Sequence, residues 1–168
     1  GESAATLRFM TAVCSTIKGR CRLTSGMSLV RRPIDILIDA LRQLGVKVHL
    51  DGNSVVVEGG SLAGGDVALR GDVSSQYLSA LLLISPLAAG PVRIHLTTPL
   101  ESRAYVLMTL ECLEKFGIKV KASEDLRDFE TLPQKYQPQN YHVEGDWSSA
   151  SYLLGLGAVS GGIEIENL

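Results

Sequence analysis

The chain has 168 residues, 45% of them hydrophobic and 5% aromatic, enough to bury one compact core or two small ones, which excludes a disordered chain. Its 16 basic and 18 acidic residues give a net charge of −2, so no global positive field exists to hold nucleic acid or an anionic membrane, and any anion must be gripped locally. Three cysteines, Cys14, Cys21 and Cys112, are an odd number without metal-ligand spacing, which favours core packing in a reducing cytoplasm over a disulfide framework.

The chain opens on Gly1-Glu2-Ser3-Ala4-Ala5, and the phrase returns as Gly71-Asp72-Val73-Ser74-Ser75 and Gly145-Asp146-Trp147-Ser148-Ser149, with starts 70 and 74 residues apart. Each copy leads into an apolar run of helical length, a Gly-rich turn and a β-like stretch (20–23, 92–96 and 163–165). A period this long predicts duplicated αβ units. A Gly, an acid and then small residues form a helix start, with an N-cap and nothing bulky over the free N–H groups. Several such starts at one end of a fold would make an anion site. The first copy has no strand ahead of it, and the expectation is that the chain was cut from something longer.

In chain order, the run 6–18 is an apolar helix and 20–23 a strand. Residues 33–44 form an amphipathic helix with Ile34, Leu37, Ile38, Leu41 and Leu44 on one stripe. Gly45 caps it, and strands 46–50 and 55–58 follow, joined by the hairpin turn Asp51-Gly52-Asn53-Ser54. Strand 67–70 enters the second phrase, and the pattern repeats. It runs through an apolar helix at 75–87, a strand at 92–96 and an amphipathic helix at 102–116 carrying Tyr105, Met108, Leu113 and Phe116, then Gly117 and a new strand. A longer connection spans 123–128, residues 133–140 are the best loop or proteolysis site, and strand 141–144 enters the third phrase and helix 149–159. The longest apolar stretch, 78–89, holds Ser79, Ser85 and Pro86 and is too short to span a bilayer. The unit reads strand, buried helix, strand, amphipathic helix, strand, strand: an α/β chain of βαβαββ modules, one starting before Gly71 and an incomplete one at each end.

Ser74, Ser75 and Gln76 put two hydroxyls and an amide at the start of a buried helix, where they can cap it or grip a phosphate or polyol. Ser102 is an N-cap and Tyr105, one turn on, is core or a ligand contact. Arg31 and Arg32 precede a proline at a helix start, either solvated or as a forked anion grip. Arg8, within an apolar helix, calls for a carboxylate, with Asp146 a candidate. His49, His95 and His142 have no ligands at metal spacing, and no Walker loop, nucleophile elbow or GxGxxG is present.

The phrases Ser28-Leu29 with Arg32-Pro33-Ile34, Ser74-Ser75-Gln76-Tyr77-Leu78-Ser79-Ala80-Leu81-Leu82, Ser102 with Tyr105 and Thr109-Leu110, and Tyr141-His142-Val143-Glu144-Gly145-Asp146-Trp147-Ser148-Ser149-Ala150-Ser151-Tyr152 occur in order along nearly the whole chain. In these the chain resembles the EPSP synthases. The resemblance implies an incomplete enolpyruvyl transferase-like inside-out α/β barrel, with 1–144 as a substrate-binding domain and 145–168 as the crossover and start of a second. It implies transfer of the enolpyruvyl group of phosphoenolpyruvate to the 5-hydroxyl of shikimate 3-phosphate, with phosphate released and no cofactor or metal. Ser74, Ser75, Gln76, Ser102 and Tyr105 would bind shikimate 3-phosphate. Arg32, Ala4 and Gln76 would bind phosphoenolpyruvate.

The family usually has Gly-Thr where this chain has Ala4-Ala5, which implies weaker phosphoenolpyruvate binding and poor inhibition by glyphosate. Arg103-Ala104 replaces a usual Lys-Pro, and Leu107 a usual acid. The family's N-terminal lysine-serine segment and the acid, lysines and arginines of its second domain have no counterpart, so the main acid and base groups are expected outside this chain. The piece is expected to bind at most one substrate, weakly, to turn over nothing, and to self-associate through exposed edges. Two alternatives are the sister transferase acting on a UDP-sugar, which uses a loop cysteine, and a non-catalytic binding module of the same fold.

Overall fold

The repeated phrase starts a helix in each copy, but its capping residue moves. The structure, a computed structural model, describes residues 2–26, 29, 32–60 and 62–168. Helix α1 (Ala4–Thr16) is capped by Ser3, whose Oγ accepts from the Thr6 N–H at 3.2 Å. Helix α3 (Ser75–Ile84) is capped by Ser74. In the third copy the acid itself caps helix α5 (Trp147–Ser160), Asp146 accepting from the Ser148 N–H at 2.9 Å. Asp72, in the second copy, is occupied elsewhere: Arg70 holds it in a two-pronged grip of 3.0 and 2.8 Å, and the cap falls to Ser74. The phrase's glycine is a crossing point in both described copies. A Cβ on Gly71 would lie 3.0 Å from the Thr98 and Pro99 carbonyls, and one on Gly145 would lie 2.5 Å from the Asn167 carbonyl.

The first unit, Gly1–Gln137, holds two modules. The second is complete: β4 (Gly65–Leu69), α3, a 3-10 turn at Ser85–Leu87, β5 (Val92–Leu96), α4 (Arg103–Lys115), β6 (Val120–Ala122) and β7 (Asp128–Thr131). Its sheet runs β4-β5-β7-β6, parallel between β4 and β5 and antiparallel elsewhere. The first module has α1, β1 (Gly19–Thr24), α2 (Asp35–Gln43), β2 (Lys47–Asp51) and β3 (Ser54–Gly59), with sheet order β1-β3-β2. That order matches β5-β7-β6, so β1 lacks, among the described residues, the parallel neighbour that β4 gives β5. At the far side of β4, the Gln43 side-chain amide from α2 accepts from the Ala68 N–H at 2.9 Å and donates to the Ala68 carbonyl at 3.3 Å, standing where a further strand would pair.

Helix α3 is the hub, packed against α1 and α4. Its Tyr77, Leu78, Ala80, Leu81, Leu82 and Ile84 are all at most 2% exposed, as an all-round apolar run requires. The hydroxyls inside this run are satisfied: Ser79 pairs with Thr109 at 2.8 Å and Ser85 donates to the Leu81 carbonyl at 2.7 Å. Each buried leucine contributes about 1.5–3 kcal/mol. The expected α2 stripe, Ile34, Leu37, Ile38, Leu41 and Leu44, is buried throughout. Helix α4 differs from expectation. Its inner stripe is Val106, Leu110 and Leu113 at i, i+4, i+7, so Tyr105 and Met108 point outward while Phe116 stays half-buried.

The second unit, Pro138–Leu168, consists of α5 and extended segments. The strands expected at 141–144 and 163–165 do not form, since nothing in the unit offers them a ladder. Helix α5 has the sequence of a buried helix, yet Tyr152, Leu153, Leu154, Leu156 and Val159 are exposed, contrary to the expectation for all three apolar helices. No helix among the described residues is long and apolar enough to cross a membrane.

Candidate functional site

The site is built at the starts of α1, α3 and α4. Ser74 ends an extended approach (φ −165°) and its Oγ accepts from the Gln76 N–H at 3.3 Å. Ser75 is the first helical residue and only 8% exposed, yet its hydroxyl has no hydrogen-bond partner among the described residues. The loop ahead of α4 crosses over Gly71: the Gly71 N–H donates to Thr98 Oγ1 at 2.9 Å, and the Glu101 N–H to the Gly71 carbonyl at 3.1 Å. That crossing fixes the approach to Ser102 against the segment that leads into α3. Ser102 is left-handed (φ 56°, ψ 46°), a conformation rare for a residue with a Cβ, and although it occupies the cap position its hydroxyl makes no cap bond. Tyr105 follows in the first turn of α4, 56% exposed. The Ser79–Thr109 pair, with Thr109 donating to the Tyr105 carbonyl at 2.8 Å, locks the two helices one turn below the site.

The first module brings Ala4, Arg8 and Arg32 to the same neighbourhood through α1 and the segment before α2. Ala4 is the first residue of α1 and Arg8 lies one turn on, on the same face. Arg8 corrects an expectation. Its partner is not Asp146, which caps α5; instead NH1 donates to Gln76 Oε1 at 2.8 Å and Ser74 Oγ at 3.3 Å, and NH2 to the Pro33 carbonyl at 3.4 Å. The guanidinium lies 4.8 Å from the Tyr77 ring centroid, and the Tyr77 hydroxyl also donates to Pro33. Burial raises the Tyr77 pKa against the opposing pull of Arg8, which keeps the phenol a donor. Pro33 follows Arg32, so the network ties that segment to the α3 start. Arg32 is exposed and its guanidinium has no ion-pair partner among the described residues. Ser28 and Arg31 lie outside the described residues.

The sequence placed Ser74, Ser75 and Gln76 together at a helix start and singled out Arg8, but did not join Arg8 to them. The available signal was a cation one turn after Ala4 on a helix too apolar to leave it in water.

The chemistry on offer is recognition of anions: hydroxyls, an amide, helix N-termini and guanidiniums. No carboxylate, imidazole or lysine is hydrogen-bonded to Ser74, Ser75, Gln76, Ser102 or Arg32 among the described residues. Nor does any group of three or more His, Cys, Asp or Glu offer a metal site there. His95 pairs with Asp128 and His142 with Asn167. Three clefts of about 470, 430 and 410 Å³ lie on the β4–β7 sheet face, beside α4 and β6, and between α1 and β1, and none is lined by a predicted site residue, whereas a smaller one of about 110 Å³ is lined by Arg32.

Repeated βαβαββ modules around shared buried helices define part of an inside-out α/β barrel of the enolpyruvyl transferase kind. EPSP synthase structures from Acinetobacter baumannii superpose with a TM-score of 0.74 at 26% identity, one of them over 92% of this chain and 34% of its own. The chain belongs to the EPSP synthase (3-phosphoshikimate 1-carboxyvinyltransferase) family, whose model matches residues 1–168. Proteins named 3-phosphoshikimate 1-carboxyvinyltransferase from Dehalococcoides mccartyi and Methanocaldococcus jannaschii are 50% and 42% identical over 167 and 175 aligned residues. These cover 99% and 100% of this chain, which spans about 40% of the length of each relative.

Proposed function

We propose that this chain supplies the shikimate 3-phosphate half-site, and part of the phosphoenolpyruvate site, of a 3-phosphoshikimate 1-carboxyvinyltransferase. In that reaction the 5-hydroxyl of shikimate 3-phosphate adds to the vinyl carbon of phosphoenolpyruvate and phosphate leaves. Ser74, Ser75 and Gln76 hold the shikimate phosphate at the positive end of α3, Ser102 and Tyr105 flank the ring, and Arg32 takes phosphoenolpyruvate beside Ala4. The observation that carries this reading is the pair of uncommitted hydroxyls. Ser75 has no hydrogen-bond partner among the described residues and, since none of their buried side-chain oxygens is left unsatisfied, its hydroxyl faces solvent at the α3 start; Ser102 is held left-handed without capping its helix, so both hydroxyls are open to a ligand.

Binding brings two anions together, which raises the rate by proximity; proton transfer needs groups these residues do not supply. Turnover is therefore assigned to a longer protein, with residues 1–144 as the substrate-binding domain and 145–168 as its crossover, working in a reducing cytoplasm. A UDP-sugar substrate fits less well: Cys14 lies in α1, Cys112 in α4 and Cys21 in β1, none of them in a loop. The test is a two-dimensional NMR titration of the chain with shikimate 3-phosphate. Shifts clustered on Ser74, Ser75, Gln76, Ser102 and Tyr105 are expected, with none from a UDP-sugar. A folded spectrum that shikimate 3-phosphate leaves unmoved would overturn the reading.

A further inference from the structure

Arg8 is held on three sides without a carboxylate. Both hydrogens of NH1 are committed, to Gln76 Oε1 at 2.8 Å and Ser74 Oγ at 3.3 Å, NH2 reaches the Pro33 carbonyl, and one face lies over Tyr77. Three of the arginine's five donors and one face are thus taken up by the protein itself. Its effect on its neighbours is chemical as well as mechanical.

Guanidinium carries five donors and no acceptor. Whatever faces it must accept, which fixes the Gln76 amide with its oxygen toward Arg8 and its NH2 away, an orientation that an isolated glutamine leaves undecided. Ser74 Oγ accepts twice, from Arg8 and from the Gln76 backbone N–H at 3.3 Å, so both lone pairs are filled and only its O–H remains. Serine and glutamine can each donate or accept. Here both are left able only to donate, beside the uncommitted Ser75 hydroxyl at a helix N-terminus.

We infer that Arg8 is a positioning residue that turns Ser74 and Gln76 into one-way hydrogen-bond donors, making the α3 start selective for an oxyanion without touching it. The inference rests on the proposed shikimate 3-phosphate half-site and supplies the reason a seryl-glutamine motif reads as a phosphate subsite. It also links the two substrates, since the same guanidinium holds the carbonyl of the residue after Arg32.

The test is a double-mutant cycle read by calorimetry with shikimate 3-phosphate on the 168-residue chain, with the Gln76 side-chain amide followed by NMR in the ligand-free proteins. Arg8→Met is expected to weaken binding roughly tenfold, the scale of one charge-assisted hydrogen bond misdirected, and by less than about threefold when Ser74 and Gln76 are already alanine. Equal losses in both backgrounds would mean that Arg8 touches the ligand, and the inference fails. Without ligand, Arg8→Met is expected to collapse the resolved Gln76 amide pair toward the position of a free glutamine; an unchanged pair overturns the inference even where binding is normal. If the parent chain does not bind shikimate 3-phosphate, the functional reading falls while this amide signature still decides the role of Arg8. Should Arg8→Met not fold, Arg8→Lys keeps one donor toward Gln76 and loses the second. It is expected to keep the amide signature and to bind a few-fold more weakly, and unimpaired binding in that variant counts against the inference.

Discussion

Ser102 spends stability on geometry. A left-handed serine costs on the order of 1 kcal/mol or more, and glycine relieves it. Ser102→Gly is therefore expected to raise the thermal midpoint by roughly 2–4 °C while weakening shikimate 3-phosphate binding, both readable in one ligand-dependent melting series. A fall in midpoint would show that the hydroxyl has a structural partner after all. Ser75→Ala should weaken binding with little change in stability, because the hydroxyl it removes has no partner among the described residues. Ser74→Ala should cost both, about 1 kcal/mol of it from the lost cap. At Ala4 the added methyl stands at the first turn of α1, on the phosphoenolpyruvate side of the proposed site. Ala4→Gly is expected to tighten binding of phosphoenolpyruvate and of glyphosate by the chain, and equal affinities before and after would remove Ala4 from the site. At this scale the sequence was legible where residues are contiguous, as in the Ser74-Ser75-Gln76 start of α3. It was not legible for Arg8, whose partners lie 25, 66 and 68 residues away and are joined to it only by the packing of α1 on α3.

The helices were readable as elements because burial imposes a period, and α2 obeys it at every predicted position. On α4 the period was right and the phase only partly so: Leu113 is buried and Phe116 half-buried, while Tyr105 and Met108 face outward and Val106 and Leu110 take their place. The strands of the first unit emerged near their expected bounds because their partners were present; those at 141–144 and 163–165 had none. The β4-to-α3 junction carries a pH signature. Arg70 grips Asp72, and this hydrogen bond, the largest cause, pushes the carboxyl from its usual 3.8 down to about 2. A depressed folded-state pKa adds stability that is complete above the ordinary carboxylate range and is lost as pH falls from near 4 toward about 2. Comparing acid unfolding of the parent chain with Asp72→Asn should show the two curves converging over that interval. Curves that stay parallel would mean the grip contributes nothing to folding.

Across the whole molecule, the two units differ in what ties them down. The last residues of the first unit are fastened: the Gln134 N–H donates to the Pro86 carbonyl, the Gln137 N–H to the Phe116 carbonyl, and the Tyr136 hydroxyl to the Leu83 carbonyl at 2.6 Å, with burial pushing that phenol's pKa up to about 12. Residues 138–144 are exposed and make no strand. Brief chymotrypsin treatment is therefore expected to cut after Tyr141 well before Tyr136, leaving a first unit whose melting midpoint is unchanged; simultaneous loss of both bonds would contradict the division into units. Module duplication was legible in the sequence because a repeated phrase survives as text, and the first unit ends inside the polar segment 133–140 read as a loop; that it ends at Gln137 was not legible, being a matter of which hydrogen bonds stop there. One cross-module contact bears on the chain's behaviour before it is fully folded. The outer peptide of β4 at Ala68 is occupied by a glutamine from α2, a helix of the other module, so a chain whose first module lags presents an unguarded strand to its neighbours in solution. Loss of Gln43 would then register as a shortened lag in seeded fibril growth, at protein concentrations where the native melting curve has hardly moved.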